Sequence, residues 1–255
     1  MAIHKATFRF YEELNDVLPP PKRKNVISYE FSVAPSVKDA IEAIGVPHTE
    51  IDLIVVNGES VGFDYKLRDG DRVAVYPTFE SMDISPVTRL RREPLRSTAF
   101  IADVHLGKLA RLLRLLGLDT AFNPAFSPAE VKRVAGKEQR IILTRSRSLL
   151  RSADVTHGYL VRSADPLEQA REVLDRFDLR RDLKPFTRCT ACNGMLCSVP
   201  MDEIRHRLPR GTAARFREFR RCSGCDKVYW KGAHVRQLNA LVEQFLGNGE
   251  TPGFR

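Results

Sequence analysis

Apolar and polar residues alternate in two segments near the start of the chain, residues 6–11 and 26–31. A two-residue period of this kind is typical of strands that bury one face. The stretch between them contains three consecutive prolines followed by Lys22, Arg23 and Lys24, a composition that predicts a loop. The pattern therefore predicts a hairpin.

A helix and two further strands are predicted after the hairpin. Ser36 precedes a segment in which apolar residues recur at helical spacing as far as Gly45. Residues 53–56 and 72–76 are short apolar segments with turn-forming residues beside them. The order strand, strand, helix, strand, strand predicts an α+β domain of the β-grasp type over residues 1–77.

From residue 99 onward, short buried strands alternate with amphipathic helices. The predicted strands are residues 99–103, 140–144 and 156–162, and the predicted helices are residues 106–117, 128–137 and 166–177. This alternation is typical of a small, mostly parallel α/β sheet. Active groups of such sheets lie at the carboxyl ends of the strands, and Asp103 and Ser146 both occupy that position.

The first of these helices has a basic row beside its apolar face. The apolar face is formed by Leu106, Leu109, Ala110, Leu113 and Leu116. Lys108, Arg111 and Arg114 follow another side at three-residue spacing. These three residues are candidates for contact with a phosphate backbone.

Two pairs of cysteines near the end of the chain share one spacing, Cys189-x-x-Cys192 and Cys222-x-x-Cys225. Two such pairs can complete a tetrahedron of thiolates, so the spacing predicts a closed, structural Zn²⁺ site of the ribbon type. The alternatives are a redox motif or two unrelated dithiols. Cys197, the fifth cysteine, is expected to be a small buried residue.

The formal net charge of +9 is consistent with a polyanionic partner, for which RNA is the natural candidate, and equally with a basic surface that is only solvated. Most of the excess arginine lies after residue 89, and seven arginines lie between the two cysteine pairs. No apolar segment reaches the roughly 18 residues of a membrane span, and the first residues lack a secretory apolar region. We therefore expect a cytoplasmic protein with reduced thiols.

These patterns predict five parts of the chain. They are a β-grasp domain (1–77), a linker (78–97), an α/β domain (98–183), a zinc ribbon (184–238) and a C-terminal helix and tail (239–255). The linker has two prolines and no sustained period. Its arginines are open to phosphate contact or to simple solvation.

Two strings in the first domain, VVNGESV and LRDGDRVAVYP, resemble the ubiquitin-like sulfur carriers of molybdopterin and thiamine synthesis. The carriers act through a free C-terminal Gly-Gly. Here the corresponding residues are Pro77, Thr78 and Phe79, and the chain continues. The resemblance therefore implies a recognition or scaffolding module instead of a sulfur carrier.

Residues 100–120 and 141–150, followed by the segments around both cysteine pairs, resemble the PIN-like ribonuclease domain named for the C-terminus of the nematode Mut-seven exonuclease. The resemblance covers about residues 98–238 in order. It implies a PIN-like α/β sheet with a zinc ribbon and a ribonuclease that uses carboxylates to hold Mg²⁺ or Mn²⁺. Bacterial members also have a β-grasp domain ahead of it.

Asp103 matches the first carboxylate of that family. The second motif, which usually reads Thr-Arg-Asp, is Thr144-Arg145-Ser146 here, and a neutral hydroxyl is a much weaker Mg²⁺ ligand. Glu130 is the acidic residue before the second helix. Taken alone, Asp103 could equally be an N-cap, and Glu130 a solvated helix residue.

The remaining candidate RNA contacts flank these motifs. They are Arg145, Arg147, Trp230, Lys231 and His234. Tyr229 and Trp230 could stack bases, or they could pack the ribbon against the α/β domain. Two functions remain open: a metal-dependent RNA endonuclease with a degraded acidic site, and a non-catalytic adaptor for RNA, with tRNA, rRNA or the ribosome as candidates.

Overall fold

The computed structural model describes residues 2–77, 88–90 and 98–246, except for the side chains of residues 233, 234 and 236. Most of the linker predicted over residues 78–97 and the tail after residue 246 lie outside the described residues. The chain forms two compact units. The first contains the described residues before 97 together with Ser146–Leu160, and the second contains Thr98–Arg145 and the described residues from Val161.

The first unit begins with the β-grasp elements. They are β1 (His4–Phe10), α1 (Leu14–Val17), β2 (Ile27–Phe31), α2 (Val37–Ile44), β3 (Ile51–Val56), β4 (Glu59–Ser60) and β5 (Arg72–Pro77). The sheet order is β2-β1-β5-β3-β4, with β1 parallel to β5 and the other pairs antiparallel. This confirms the β-grasp prediction.

The core of this sheet lies beneath α2. Ser36 caps the helix by accepting a hydrogen bond from the Asp39 N–H at 3.1 Å, as the sequence signature predicts. Ile41 on α2 and Phe8 and Val75 on the sheet are fully buried in the same cluster. Packing of the apolar helix face on the sheet is the main source of stability for a unit of this size.

The second unit begins with an α/β region. Its elements are β6 (Phe100–Ala102), α3 (Gly107–Leu115), β7 (Thr120–Ala121), α4 (Pro128–Glu138) and β8 (Ile141–Thr144). Strands β7 and β8 each pair in parallel with β6. The two-residue strand β7 has no counterpart in the sequence prediction, because two residues are too few to show a period.

Residues 146–160, which the sequence places within the α/β domain, group with the β-grasp elements in the first unit. They form α5 (Arg147–Leu150) and β9 (Gly158–Leu160). The backbone N–H of Leu160 donates to Glu50 Oε1 at 2.9 Å, and the His48 ring donates to the Val155 carbonyl at 2.9 Å. Because Glu50 and His48 are buried, these polar contacts tie the segment firmly to the first unit.

The second unit continues through a long helix into the cysteine-containing region. The elements are α6 (Pro166–Arg176), β10 (Leu196–Ser198), α7 (Met201–Ile204), α8 (Thr212–Arg215), β11 (Phe219–Cys222), β12 (Val228–Trp230) and α9 (Ala233–Glu243). Strands β10, β11 and β12 form an antiparallel sheet in that order. Helix α9 runs through residue 239, where the sequence prediction placed a boundary.

The cysteine-containing region is joined directly to the C-terminal end of α3. The N–H groups of Lys184 and Phe186 donate to the carbonyls of Leu116 and Leu115 at 3.0 and 2.9 Å. Gly117 has a φ of 92°, and a Cβ at this position would lie 2.1 Å from the Lys184 carbonyl oxygen. Only glycine permits this close approach.

Across the described residues, no helix combines the length and the apolar character that a bilayer span requires.

Candidate metal centre and nucleic-acid interface

The four cysteines lie in two loops of the same shape, one before β10 and one between β11 and β12, and they are Cys189, Cys192, Cys222 and Cys225. In each loop, the residue after the second cysteine donates its N–H to the carbonyl of the first cysteine. Asn193 donates to Cys189 at 2.9 Å, and Asp226 donates to Cys222 at 3.1 Å. Both donors have a positive φ, 75° and 60°, a region in which asparagine and aspartate are enriched.

The four sulfur atoms converge to one point, all within 4.8 Å of one another. The Sγ atoms of Cys189 and Cys225 are 3.6 Å apart, and those of Cys192 and Cys222 are 3.3 Å apart. Four thiolates around a tetrahedral zinc ion, each at about 2.3 Å, would be about 3.8 Å apart. The cluster could therefore hold Zn²⁺ with all four positions filled by protein.

A small residue keeps the two loops close enough for this convergence. A Cβ at Gly194 would lie 2.8 Å from the Cys222 sulfur and 3.0 Å from the backbone nitrogen of Gly224. Both distances are below ordinary van der Waals contact, so a larger residue would push the loops apart. The glycine after the first cysteine pair is therefore part of the metal site.

The thiols of the first loop differ sharply in acidity. Burial opposes ionisation of Cys189, but hydrogen bonds from the Tyr229 hydroxyl and from nearby backbone N–H groups outweigh it and lower the pKa of Cys189 to about 6. Burial and the neighbouring thiols raise the pKa of Cys192 to about 12, against the effect of the Gly194 N–H. A bound divalent cation would favour the ionised form of all four cysteines, because it binds them as thiolates.

Asp103 lies where the sequence predicted, at the carboxyl end of β6. It is buried, and its Oδ1 atom accepts a hydrogen bond from the His105 N–H at 2.9 Å, capping the short 3-10 helix that follows. Its Oδ2 atom accepts a hydrogen bond from Thr144 Oγ1 at the end of the adjacent strand β8. Both carboxylate oxygens are therefore occupied by groups of the protein.

Glu130, predicted as a catalytic acid, forms a capping box at the start of α4. Its Oε2 atom accepts hydrogen bonds from the Ser127 N–H at 2.7 Å and from the Ser127 hydroxyl at 2.8 Å. These bonds lower the pKa of Glu130 below its ordinary value. The capping box accounts for the position of Glu130, and its catalytic role stays a prediction.

Ser146, the third predicted catalytic residue, caps α5 in the first unit. Its hydroxyl accepts a hydrogen bond from the Leu149 N–H at 3.4 Å and shares another with the Ser148 hydroxyl at 2.8 Å. Serine is among the residues that best fill this capping position. The residue that replaces the family aspartate thus has a local structural role.

Other acidic residues near the motifs also have partners. Asp119 pairs with Arg140 and Arg188, Asp165 caps α6, and Glu168 pairs with Arg171. Among the described residues, the four cysteines form the group of three or more histidine, cysteine and acidic side chains close enough to share an ion. The described residues therefore form no such cluster around Asp103.

Arg114, predicted to contact RNA, is buried, with 2 % of its surface exposed. Its guanidinium donates to the carbonyls of Thr120 at 2.7 Å and Ala191 at 2.9 Å, with longer bonds to Thr190 and Phe122. This burial argues against the RNA contact that the sequence predicted. Four protein acceptors surround the guanidinium, so it is not available to RNA.

The other predicted basic contacts are exposed. Lys108 and Arg111 lie on the solvent side of α3, and Arg145 follows β8. Arg147, in the first unit, donates to the Val17 carbonyl at 2.9 Å, so part of its guanidinium is engaged. These four residues stay candidates for phosphate contact.

The residues after the second cysteine pair are mainly structural where the structure describes them. Trp230 packs against the small apolar cluster of Val199, Ile204 and Phe219. Lys231 forms an ion pair with Glu218 at 2.7 Å. The side chain of His234 lies outside the described residues. Trp230 therefore packs within the ribbon, a contact that neither base stacking nor packing of the ribbon against the α/β domain had predicted.

Family models match both regions of the chain. The model described as the Mut7-C RNAse domain matches residues 98–242, and the model described as Mut7-C ubiquitin matches residues 3–83. The chain belongs to the Mut7-C RNAse domain family. The first match alone spans more than half of the 255 residues, and the pair confirms the resemblance seen in the sequence motifs.

Solved structures give weaker similarities. Two structures of the small archaeal modifier protein 1 of Haloferax volcanii are 18% and 17% identical to this chain, with TM-scores of 0.25 and 0.24. Each match covers 99% of the modifier and 30% or 31% of this chain. L-proline dehydrogenase from P. horikoshii is 11% identical over 68% of this chain and 31% of that chain, with a TM-score of 0.19. At these TM-scores the likenesses carry no argument.

No curated protein matches the chain. Membership of the Mut7-C RNAse domain family supports an RNase-type function for the second unit. Whether this unit cleaves RNA or only binds it depends on the residues of the site.

Proposed function

We propose that this protein binds RNA through an arginine-rich surface of its RNase-family unit. The observation that supports the proposal is the arginine segment, defined as residues 205–217. It contains five arginines and one histidine and no acidic residue. RNA as the partner class follows from the RNase domain family.

The arginine segment leaves most of its positive charge uncompensated. All five arginines are exposed. Four of them have no carboxylate within ion-pair distance among the described residues, and these are Arg205, Arg210, Arg215 and Arg217. Arginine forks fit phosphate oxygens, and a positive surface raises the local concentration of a polyanion.

Two other arginines, Arg207 within the segment and Arg221 near it, have acidic partners that neutralise part of their charge. Arg207 pairs with Asp226 at 2.5 Å, and Arg221 lies 3.4 Å from Glu203. Such pairs hold the ribbon together but reduce the field that a phosphate would meet. The four unpaired arginines are therefore the expected phosphate contacts.

Changing those four arginines to glutamine tests the proposal. Fluorescence anisotropy with single-stranded RNA, tRNA and rRNA fragments should show affinity lower by roughly tenfold or more, and a salt dependence flatter by up to about 0.7 per lost contact on single strands. The matched control changes Arg133, Lys137, Arg181 and Lys184, which are also exposed, to glutamine. Equal losses in both variants would overturn the assignment, because they would reflect net charge alone.

A second candidate function is divalent-metal-dependent RNA cleavage at Asp103. The observation in its favour is the position of Asp103 and Thr144 at the carboxyl ends of adjacent parallel strands, where α/β enzymes place active groups. Mg²⁺ is usually held by one or two carboxylates together with waters and substrate phosphates, and the described residues form no group of three or more ligands around Asp103. We therefore place RNA binding first.

Incubation with RNA and Mn²⁺ separates the two functions. We expect salt-sensitive binding without cleavage. Cleavage that disappears in Asp103→Asn while RNA binding is retained would establish the nuclease and overturn our order. Cleavage that persists in Asp103→Asn would exclude Asp103 as its site.

The proposal also includes a structural Zn²⁺ and a reducing compartment. The five described cysteines are free thiols, and thiolates are kept available for zinc in the cytoplasm. Metal analysis of protein purified without chelators should give about one zinc per chain. Fully folded protein without zinc would contradict this part of the proposal.

A further inference from the structure

The buried residue Arg114 connects α3 with the loop that contains the first cysteine pair. Two of the carbonyls that accept its hydrogen bonds belong to Thr190 and Ala191, the two residues between Cys189 and Cys192. A third acceptor is the carbonyl of Thr120 in β7. One guanidinium therefore holds both the cysteine loop and a strand of the α/β region.

A second set of contacts reinforces the same connection. Asn193, the residue after Cys192, accepts from the Thr120 N–H at 3.0 Å and donates to Asp119 Oδ1 at 2.8 Å. Asp119 also pairs with Arg188, the residue before Cys189, at 3.1 Å. The backbone N–H and carbonyl of Thr120 in β7 are thus both bonded, the first to Asn193 and the second to Arg114, and both of these residues are connected to the cysteine loop.

Burial of Arg114 would destabilise the fold unless its hydrogen-bond donors all had acceptors. A buried guanidinium is stable only when its donors are satisfied, and loss of its partners leaves an uncompensated charge. Burial lowers the pKa of Arg114, while the thiolates of Cys192 and Cys189 act in the opposite direction. The carbonyls of Thr190 and Ala191 can stay in place only while their loop keeps the shape that its cysteines impose.

We infer that Arg114 is a positioning residue that links metal occupancy of the cysteine cluster to the pairing of β7 with β6. Zinc would hold the loop, the loop carbonyls would satisfy Arg114, and Arg114 with Asn193 would hold β7. Loss of zinc should then loosen an edge of the RNase-family sheet as well as the ribbon. The inference is independent of RNA binding, and its tests use no RNA.

Hydrogen exchange of the full-length wild-type protein tests the link without any substitution. The Phe100 N–H donates to the Asp119 carbonyl at 2.7 Å and reports on the β6–β7 pairing. The Ile141 N–H donates to the Ala99 carbonyl at 2.8 Å and serves as an internal reference on β8. Removal of zinc by a chelator should speed exchange at Phe100 by at least about tenfold and leave Ile141 nearly unchanged.

Substitution of Arg114 tests the link in the opposite direction. In Arg114→Met, zinc affinity measured by competition with a chromogenic chelator should fall by about tenfold or more, the range found for residues that support metal ligands. Arg114→Lys keeps the charge but cannot reach all four carbonyls, so its loss should be intermediate. Arg133→Met, an exposed change on α4, should keep wild-type affinity.

Two results would overturn the inference. One is unchanged protection of Phe100 when chelation deprotects the ribbon, because the sheet edge would then be independent of the metal. The other is folded Arg114→Met protein with wild-type zinc affinity. If Arg114→Met does not fold, the exchange experiment on the wild-type protein still decides the matter.

Discussion

The cysteine cluster and the carboxyl edge around Asp103 both lie in the second unit, and they differ in how completely their groups converge. At the cluster, four sulfur atoms come within 4.8 Å of one another and Tyr229 supports one of them. At the edge, Asp103 meets Thr144, and the two side chains satisfy each other. The first arrangement could hold a cation with all four sulfur atoms, whereas the second has one protein donor at each carboxylate oxygen and no group of three or more ligands among the described residues.

The comparison shows that a motif residue and a working site are different things. Asp103 occupies its motif position, but its carboxylate is used as a helix cap and as an acceptor for Thr144. The residues that the structure describes form no group of three or more metal ligands around it, and its hydrogen bond to the His105 N–H is that of a helix cap. The cysteine cluster keeps its chemistry because all of its ligands are present.

The largest expected effect comes from breaking the cluster. Cys222→Ser removes a buried ligand, so the protein should lose its zinc and more than about 4 kcal/mol of its free energy of unfolding. Denaturant unfolding and metal analysis would measure both. Cys197 lies outside the cluster and is exposed, not buried as the sequence predicted, so Cys197→Ser should change neither. Wild-type zinc affinity in Cys222→Ser would contradict a site that uses all four cysteines.

A smaller effect is expected at Asp119, which holds the cysteine loop to the sheet. Burial opposes its ionisation, but hydrogen bonds from Arg140 and Asn193 outweigh it and lower the pKa of Asp119 below 3.8. The carboxylate therefore stabilises the fold above that pH, and this contribution is lost as the pH falls through the folded pKa. Asp119→Asn should cost about 2 kcal/mol at neutral pH, and the deficit should shrink below about pH 4.

Denaturant unfolding of the wild-type protein and Asp119→Asn between pH 3 and pH 7 would measure this deficit, at roughly half-unit steps. Asp175→Asn is the control, because Asp175 pairs with Arg180 at the surface, where an ion pair contributes little. A deficit for Asp119→Asn that does not change with pH would show that its charge is not what stabilises the loop.

At the carboxyl edge, Asp103→Asn should lower the free energy of unfolding by about 1 kcal/mol, because asparagine still caps the helix but replaces the charged acceptor of Thr144. Zinc content should not change. Thermal melting with and without Mn²⁺ adds a sharper test. An Mn²⁺-dependent rise in Tm in the wild-type protein that is absent in Asp103→Asn would show a cation at this edge and weaken the contrast with the cluster.

The smallest effect is expected at Glu130. Glutamine also completes a capping box, so Glu130→Gln should leave stability, zinc content and RNA affinity close to the wild-type values. Thermal melting and anisotropy would measure them. A large loss of RNA cleavage or binding in this variant would return Glu130 to the functional site.

Arg114 shows why the basic row on α3 was only partly predictable. Three residues turn an α-helix by about 300°, so a three-residue row drifts by about 60° at each step. Lys108 and Arg111 stay on the exposed side, but Arg114 has rotated among the buried residues of the helix. A charged residue is rarely buried unless it is paired, and two of the four carbonyls that pair Arg114, those of Thr190 and Ala191, are distant in sequence.

Local patterns in the sequence determined the β-grasp order, the helix cap at Ser36, and the ligands of the cysteine cluster. Each of these depends on residues close together along the chain, or on a repeated spacing. The tertiary structure alone decided that residues 146–160 pack with the β-grasp elements, that Arg114 joins the cysteine loop to β7, and that Asp103 is satisfied by Thr144. Those outcomes depend on which polar groups meet across the fold and on how fully they satisfy one another, and no local period encodes that.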